Sequence, residues 1–212
     1  MPNPKPIIWA ILSDWGRVVV LFDNHRTSAA LVPHTRVFTE PQIHQTLFVE
    51  RRKQWDDLMC GAVTLDDYTR EAKLALWLDC TDADFQQALA DVFTLNQPII
   101  DLWRDVRTHM HTQLVAASNV EEVRHVRMRE MGVHDLFHKH CLSYVEKVGK
   151  PDPHFFLRAL EIAGVEAHEA LFVDDHAEFC DVARSLGIHA EVYDYERHDD
   201  FVRRLRDGYL LV

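Results

Sequence analysis

Four short polar clusters, each trailing or bordering an apolar run, hold the residues of this chain best suited to chemistry. In Ser13-Asp14-Trp15-Gly16-Arg17-Val18, an aspartate follows the run Ile7–Leu12. A carboxylate with an ordinary pKa of roughly 3.9 is ionised at neutral pH and can act as a nucleophile or ligate a hard metal ion. Standing alone, such an aspartate is more often a turn or helix cap. In Gln113-Leu114-Val115-Ala116-Ala117-Ser118-Asn119, the Ser118 hydroxyl emerges from an apolar stretch just before a helical pattern. There it can bind a phosphate oxygen together with the free N–H groups of the helix start. Asn119 with Glu122 also fits a capping box, and the two readings are compatible.

The third cluster, Lys147-Val148-Gly149-Lys150-Pro151-Asp152-Pro153, uses a glycine and two prolines to set the approach to a helix, which gives Lys150 a defined place. A lysine there can neutralise a carboxylate and a phosphoryl group together. Lys147 lacks that setting and reads as a surface residue. In the fourth, Leu171-Phe172-Val173-Asp174-Asp175-His176, two adjacent carboxylates end another apolar run. They repel each other unless a cation or hydrogen bonds compensate, and oxygen ligands favour Mg²⁺. A polar loop capping the next helix is the plainer alternative.

The elements that must carry these clusters are legible. Apolar runs with β-branched residues at Ile7–Leu12, Gln113–Ala117, Ala170–Val173 and His189–Tyr193 predict buried strands. Helices are expected between them: Val120–Met131 and Ala177–Leu186, stopped by Gly132 and Gly187, and Pro153–Ala163, started by Asp152 and stopped by Gly164. Strands alternating with helices predict an α/β fold with a doubly wound parallel sheet. Such sheets hold ligands at the carboxyl ends of their strands, where the clusters fall. Residues 24–111 differ, reading as successive amphipathic helices (Gln42–Leu58, Leu65–Leu78, Asp82–Phe93, Ile99–His111) with no convincing strand. An inserted helical bundle over 24–111 is expected, with core segments 1–23 and 112–212.

Composition narrows the function classes. With 47% hydrophobic and 27% charged residues the chain reads as an ordinary globular protein. A formal net charge of -11 opposes binding to nucleic acid and to anionic membranes. The densest basic stretch, Arg124–Arg129, reads as the outer face of a helix. The four cysteines are scattered without metal spacing, and the N-terminal apolar run is too short for a membrane span and lacks a cleavage pattern, so a cytoplasmic protein is expected.

Taken in order, SDWGRV, VAASN, VGKPDPHFF and FVDDHAEFCDVARSLGI resemble motifs I to IV of the haloacid dehalogenase superfamily. SDWGRVVVLFDNHR and the Lys150-Pro-Asp-Pro pattern are most similar to its small phosphatases related to glucose-1-phosphate phosphatase and to the N-terminal phosphatase domain of soluble epoxide hydrolase. The resemblance implies a Rossmann-like core with a helical cap, and Mg²⁺-dependent hydrolysis of a small phosphorylated metabolite, a sugar phosphate among the candidates. It implies Asp14 as nucleophile, Ser118, Asn119 and Lys150 as phosphoryl-binding groups, and Mg²⁺ held by Asp14, the Gly16 carbonyl, Asp174 and Asp175. Where most such phosphatases carry a second aspartate two residues past the nucleophile, this chain has Gly16, as some of the small phosphatases do. A lost proton-transfer group is typically worth roughly 10²–10⁴-fold. Two further functions remain open: 2-haloacid dehalogenation, whose enzymes in this superfamily generally lack the acidic pair, and a binding or regulatory protein of the same fold without turnover. Arg17 and His176 could reach a substrate, with solvent-facing or cap-packing roles the plainer reading, and Phe22, Asp23, His25, Arg26 and Trp55 are candidate pocket walls, although aromatic residues there are more often bundle core.

Overall fold

The computed structural model describes residues 4–212; residues 1–3, part of the expected core segment 1–23, lie outside the described residues. Five parallel strands form the central sheet: β1 (Ala10–Ser13), β2 (Gln113–Ser118), β3 (Lys139–Leu142), β4 (Ala170–Asp174) and β5 (His189–Val192), in spatial order β3-β2-β1-β4-β5. The order reverses direction at β1, so the crevice at its carboxyl end is the natural ligand site of a doubly wound sheet. Asp14 follows β1 directly.

Period-two alternation sends side chains to opposite faces, and both are covered. Ile11, Leu114 and Leu171 bury against Ile99, Trp103, Met128 and Phe201 on one face. Ala10, Leu12, Val115 and Phe172 bury against Phe155, Ala159, Cys180 and Ala183 on the other. The expected glycine stops are present: Gly132, Gly164 and Gly187 all take positive φ.

Three expectations change. The run Ile7–Leu12 is two strands, because Ile7–Ile8 pairs with Leu210–Leu211 while Ala10–Ser13 joins the main sheet. Strand β3, KHCL, was not expected; it lies at the sheet edge with two half-buried polar residues, which blunts its apolar signal. The region 24–111 contains a strand, Phe93–Leu95, paired antiparallel with Val20–Phe22.

The inserted helices form a bundle, here termed the cap, around Leu31, Ile43, Leu47, Trp55, Tyr68, Leu76, Phe85 and Leu89. Thr64 and Thr81 accept hydrogen bonds from Asp67 N and Asp84 N as N-caps, each worth about 1 kcal/mol. Gln97–His109, expected with the insertion, packs on the sheet instead: its Ile99, Ile100, Trp103 and Val106 share a cluster with Ile11 and Leu114. No helix among the described residues is long and apolar enough to cross a membrane. All four cysteines are free thiols.

Candidate active site

The carboxyl ends of three adjacent strands and one loop bring the candidate residues together. Asp14 is 7% exposed, and its N–H donates to Val173 O at 2.9 Å, which extends the β1–β4 ladder by one residue. Lys150 is buried with its Nζ 3.0 Å from Asp14 Oδ1 and 2.6 Å from Asp174 Oδ2. Ser118, 3% exposed at the end of β2, lies beside Asp14, where its hydroxyl favours the ionised carboxylate. Asp175 is half-buried beside this group, and His176 Nδ1 lies 2.9 Å from its Oδ1.

The electrostatics follow from burial with one cation among several acids. Burial pushes the Asp14 carboxyl up to about 6, against the pull of Lys150. Burial alone would discharge Lys150, but the carboxylates of Asp14 and Asp174 hold its pKa above the ordinary lysine value. For Asp174, burial is outweighed by Lys150 and by hydrogen bonds from His176, so its carboxyl sits below the usual range. His176 is pushed up to about 9, first by its hydrogen bond to Asp174. It stacks on Phe179 and stands at the rim as a cation.

Asn119 does not cap the following helix. That helix runs Glu122–Glu130 with no side-chain cap, and the Asn119 amide spans to the opposite loop. Its Oδ1 accepts from Lys150 N and its Nδ2 donates to Lys150 O, both at 2.8 Å. Gly149 permits this approach, since a Cβ there would lie 2.7 Å from Asn119 Oδ1. Asn119 is therefore a clamp on the Lys150 backbone rather than a group left free for substrate. Asn119→Ala is expected to lower kcat about 10–100-fold through loss of Lys150 positioning. Steady-state kinetics beside thermal melts check this; unchanged kcat would show that the clamp does not position Lys150 for catalysis.

Of the expected pocket walls, Asp23 caps the first cap helix through His25 N, His25 pairs with Glu40, and Trp55 is buried in the cap. Phe22 does approach the site: a Cβ on Gly16 would meet its ring edge at 3.2 Å. Arg17, exposed at positive φ, stacks on the same ring. Lys147 is exposed, as expected, and donates to Gly61 O of the cap at 3.1 Å. A cleft of about 880 Å³ reaches Asn119 and Lys150 between Arg52 and Asp56 of the cap and His154 and His176 of the core.

Two residues where the core meets the cap carry little local signal in the sequence. Arg124, expected on an outer helix face, is 5% exposed and lies 4.7 Å over the Trp55 ring. It donates to Leu89 O and Asn24 Oδ1 and pairs with Glu121, itself fully buried. Its i+3 spacing from Glu121 was the available signal.

The sequence profile of the haloacid dehalogenase-like hydrolases matches residues 13–187, from the start of the first cluster to the glycine that ends the helix after the fourth. The chain belongs to the haloacid dehalogenase-like hydrolase family. Solved structures of the family share its fold. A haloacid dehalogenase family enzyme of Bacteroides thetaiotaomicron, in complex with magnesium and inorganic phosphate, is 22% identical with a TM-score of 0.74, covering 89% of this chain and 95% of that one. A predicted haloacid dehalogenase-like hydrolase of Porphyromonas gingivalis is 18% identical with a TM-score of 0.76, over 94% and 98%. An L-2-haloacid dehalogenase of Xanthobacter autotrophicus is also 18% identical with a TM-score of 0.64, over 96% and 84%. No curated protein sequence matches the chain.

Proposed function

We propose that the chain is a Mg²⁺-dependent phosphohydrolase of a small phosphorylated metabolite, with Asp14 as nucleophile. The observation that carries this reading is the buried Asp14–Lys150–Asp174 chain, with contacts of 3.0 and 2.6 Å, at the sheet's reversal point. Asp14 Oδ1 contacts Lys150 but accepts no hydrogen bond, although it is buried. An orphaned carboxylate oxygen on the same edge as Asp174 and Asp175 fits a hard divalent ion, with the Gly16 carbonyl as a further oxygen ligand. Magnesium would supply charge stabilisation for the transferring phosphoryl group.

The protein groups have separable tasks. Lys150 keeps the Asp14 carboxylate ionised and aimed, and Asp174 keeps Lys150 charged. An Asp14 oxygen bonds to phosphorus as the ester P–O bond breaks, with Ser118 and Lys150 binding the phosphoryl oxygens. The alcohol leaves with a proton taken from water, because position 16 carries no acid. Water then attacks the acyl phosphate and releases inorganic phosphate. The cleft mixes Arg52, Lys150 and His176 with Asp56, Asp152 and Glu178, a lining suited to a small polar leaving group such as a sugar.

Gly16 favours a second reading, phosphate-ester binding without turnover. A panel of sugar phosphates, nucleotides and a chromogenic phosphate, assayed with Mg²⁺, separates the two. Phosphate release that stops with chelator is the expected result. Tight binding without release would support the second reading, and halide release from a 2-haloacid in chelator would move the assignment to dehalogenation.

A further inference from the structure

The cap carries a second group of ligand-type side chains that the chemistry at the sheet edge does not use. Glu40 and His44 lie one turn apart on the helix Glu40–His44, and His25 is the second residue of the helix Asn24–Leu31 packed beside it. Asp23 Oδ1 accepts from His25 N at 2.9 Å, and a Thr39–Gln42 capping box starts the second helix, so both backbones are held. His25 Nδ1 lies 2.8 Å from Glu40 Oε1. The His25 and His44 rings stack at 3.9 Å and 3°. One ring nitrogen from each histidine and one Glu40 oxygen all lie within 4.8 Å of one another.

Two observations set this group apart from an ordinary surface hydrogen bond. His44 Nδ1 is buried and has no hydrogen-bond partner, and such atoms in native folds usually mark a missing ligand or function. Directly after His44 the chain becomes π-helical over Gln45–Glu50, with Arg51 N donating back to Thr46 O, and π segments recur at functional sites.

We propose that His25, Glu40 and His44 form a metal site in the cap for a borderline divalent ion, Zn²⁺ foremost. Two imidazoles and a carboxylate match zinc's nitrogen and oxygen preferences, whereas magnesium takes oxygen. A tetrahedral ion with bonds of about 2.0–2.1 Å sets its ligand atoms about 3.4 Å apart. The stack therefore has to open and turn its ring edges inward, a ring rotation that His25, with a 61% exposed side chain, has room to make. On binding, His25 takes the neutral tautomer that frees a ring nitrogen for the ion and keeps its proton on the other, Glu40 turns its carboxylate from His25 to the ion, and water fills the fourth position. The ion would tie the first cap helix to the second, immediately beyond the N-cap at Asp23.

The test is independent of the proposed reaction because it reads metal binding. The full chain is titrated calorimetrically with Zn²⁺ in excess Mg²⁺, which occupies the oxygen-rich edge. One equivalent is expected to bind and to raise Tm. His25→Ala and His44→Ala should each weaken binding tenfold or more and remove the Tm shift, while Asp175→Asn leaves both in place. His25→Ala alters an exposed side chain and keeps the test decisive if His44→Ala misfolds. Co²⁺ substitution should give a nitrogen-ligated visible spectrum that His25→Ala abolishes. Absence of Zn²⁺ binding, binding that survives both histidine replacements, or binding lost in Asp175→Asn would each overturn the proposal.

Discussion

Asp14→Asn is expected to remove turnover by ~10⁴-fold or more while leaving the fold at least as stable at pH 8. Asparagine nearly matches aspartate in shape, so Lys150 keeps Asp174 at 2.6 Å and the β1–β4 ladder keeps its last bond. What disappears is the charge. Burial raises the Asp14 pKa from 3.8 to about 6, so the native state holds its proton more tightly than the unfolded chain does. Stability from this group is full below about pH 4 and is lost as pH rises through about 6. At pH 8 the wild type therefore carries the whole cost of an ionised buried carboxylate, and Asp14→Asn does not. Phosphate release and urea unfolding at pH 8, measured on one preparation, test both halves. Retained turnover would end the nucleophile assignment; lost turnover with a collapsed fold would mean that Asp14 is structural.

Arg124→Met is expected to cost about 3–5 kcal/mol of stability, the largest single-site loss we foresee. Methionine keeps apolar contact with Trp55 but abandons Leu89 O, Asn24 Oδ1 and the Glu121 carboxylate. Burial already pushes Glu121 from 4.5 up to about 7, with Arg124 opposing. Its stabilisation is thus present at low pH and fades between about 4.5 and 7. Without Arg124 the folded pKa rises further and the window widens upward. The deficit should accordingly be larger at pH 8 than at pH 5, in urea titrations at both values. A deficit below about 1 kcal/mol, or one equal at the two pH values, would show that the pair does not hold the cap to the core.

How much was legible depended on how local each signal was. Asp14, Lys150 and Asp174 could be read because each sits where an apolar run or a proline-framed loop meets polar residues, a pattern contained in about seven positions. Asn119 was misread for the same reason. Its neighbour Glu122 imitates a capping box, while its true partner, Lys150, lies 31 residues away across the sheet. Arg124 looked solvated because helical alternation reports only which residues share a face, and its face turns toward the cap. The cap's outer limit failed similarly: Gln97–His109 is as amphipathic as the helices before it, and only packing shows that its apolar stripe meets Ile11 and Leu114. The His25, Glu40 and His44 group spans two helices and has no run or spacing that would have announced it.

The Phe22 ring edge beside Gly16 couples these two positions. An acid introduced at position 16 alone would press on an aromatic that also packs near Arg17, Phe93 and Arg124, so the ring has to give by a few tenths of an ångström to admit it. A smaller residue at position 22 removes that contact, so a paired library at 16 and 22 samples an acid at 16 both with and without it, and any coupling between the two positions is read directly.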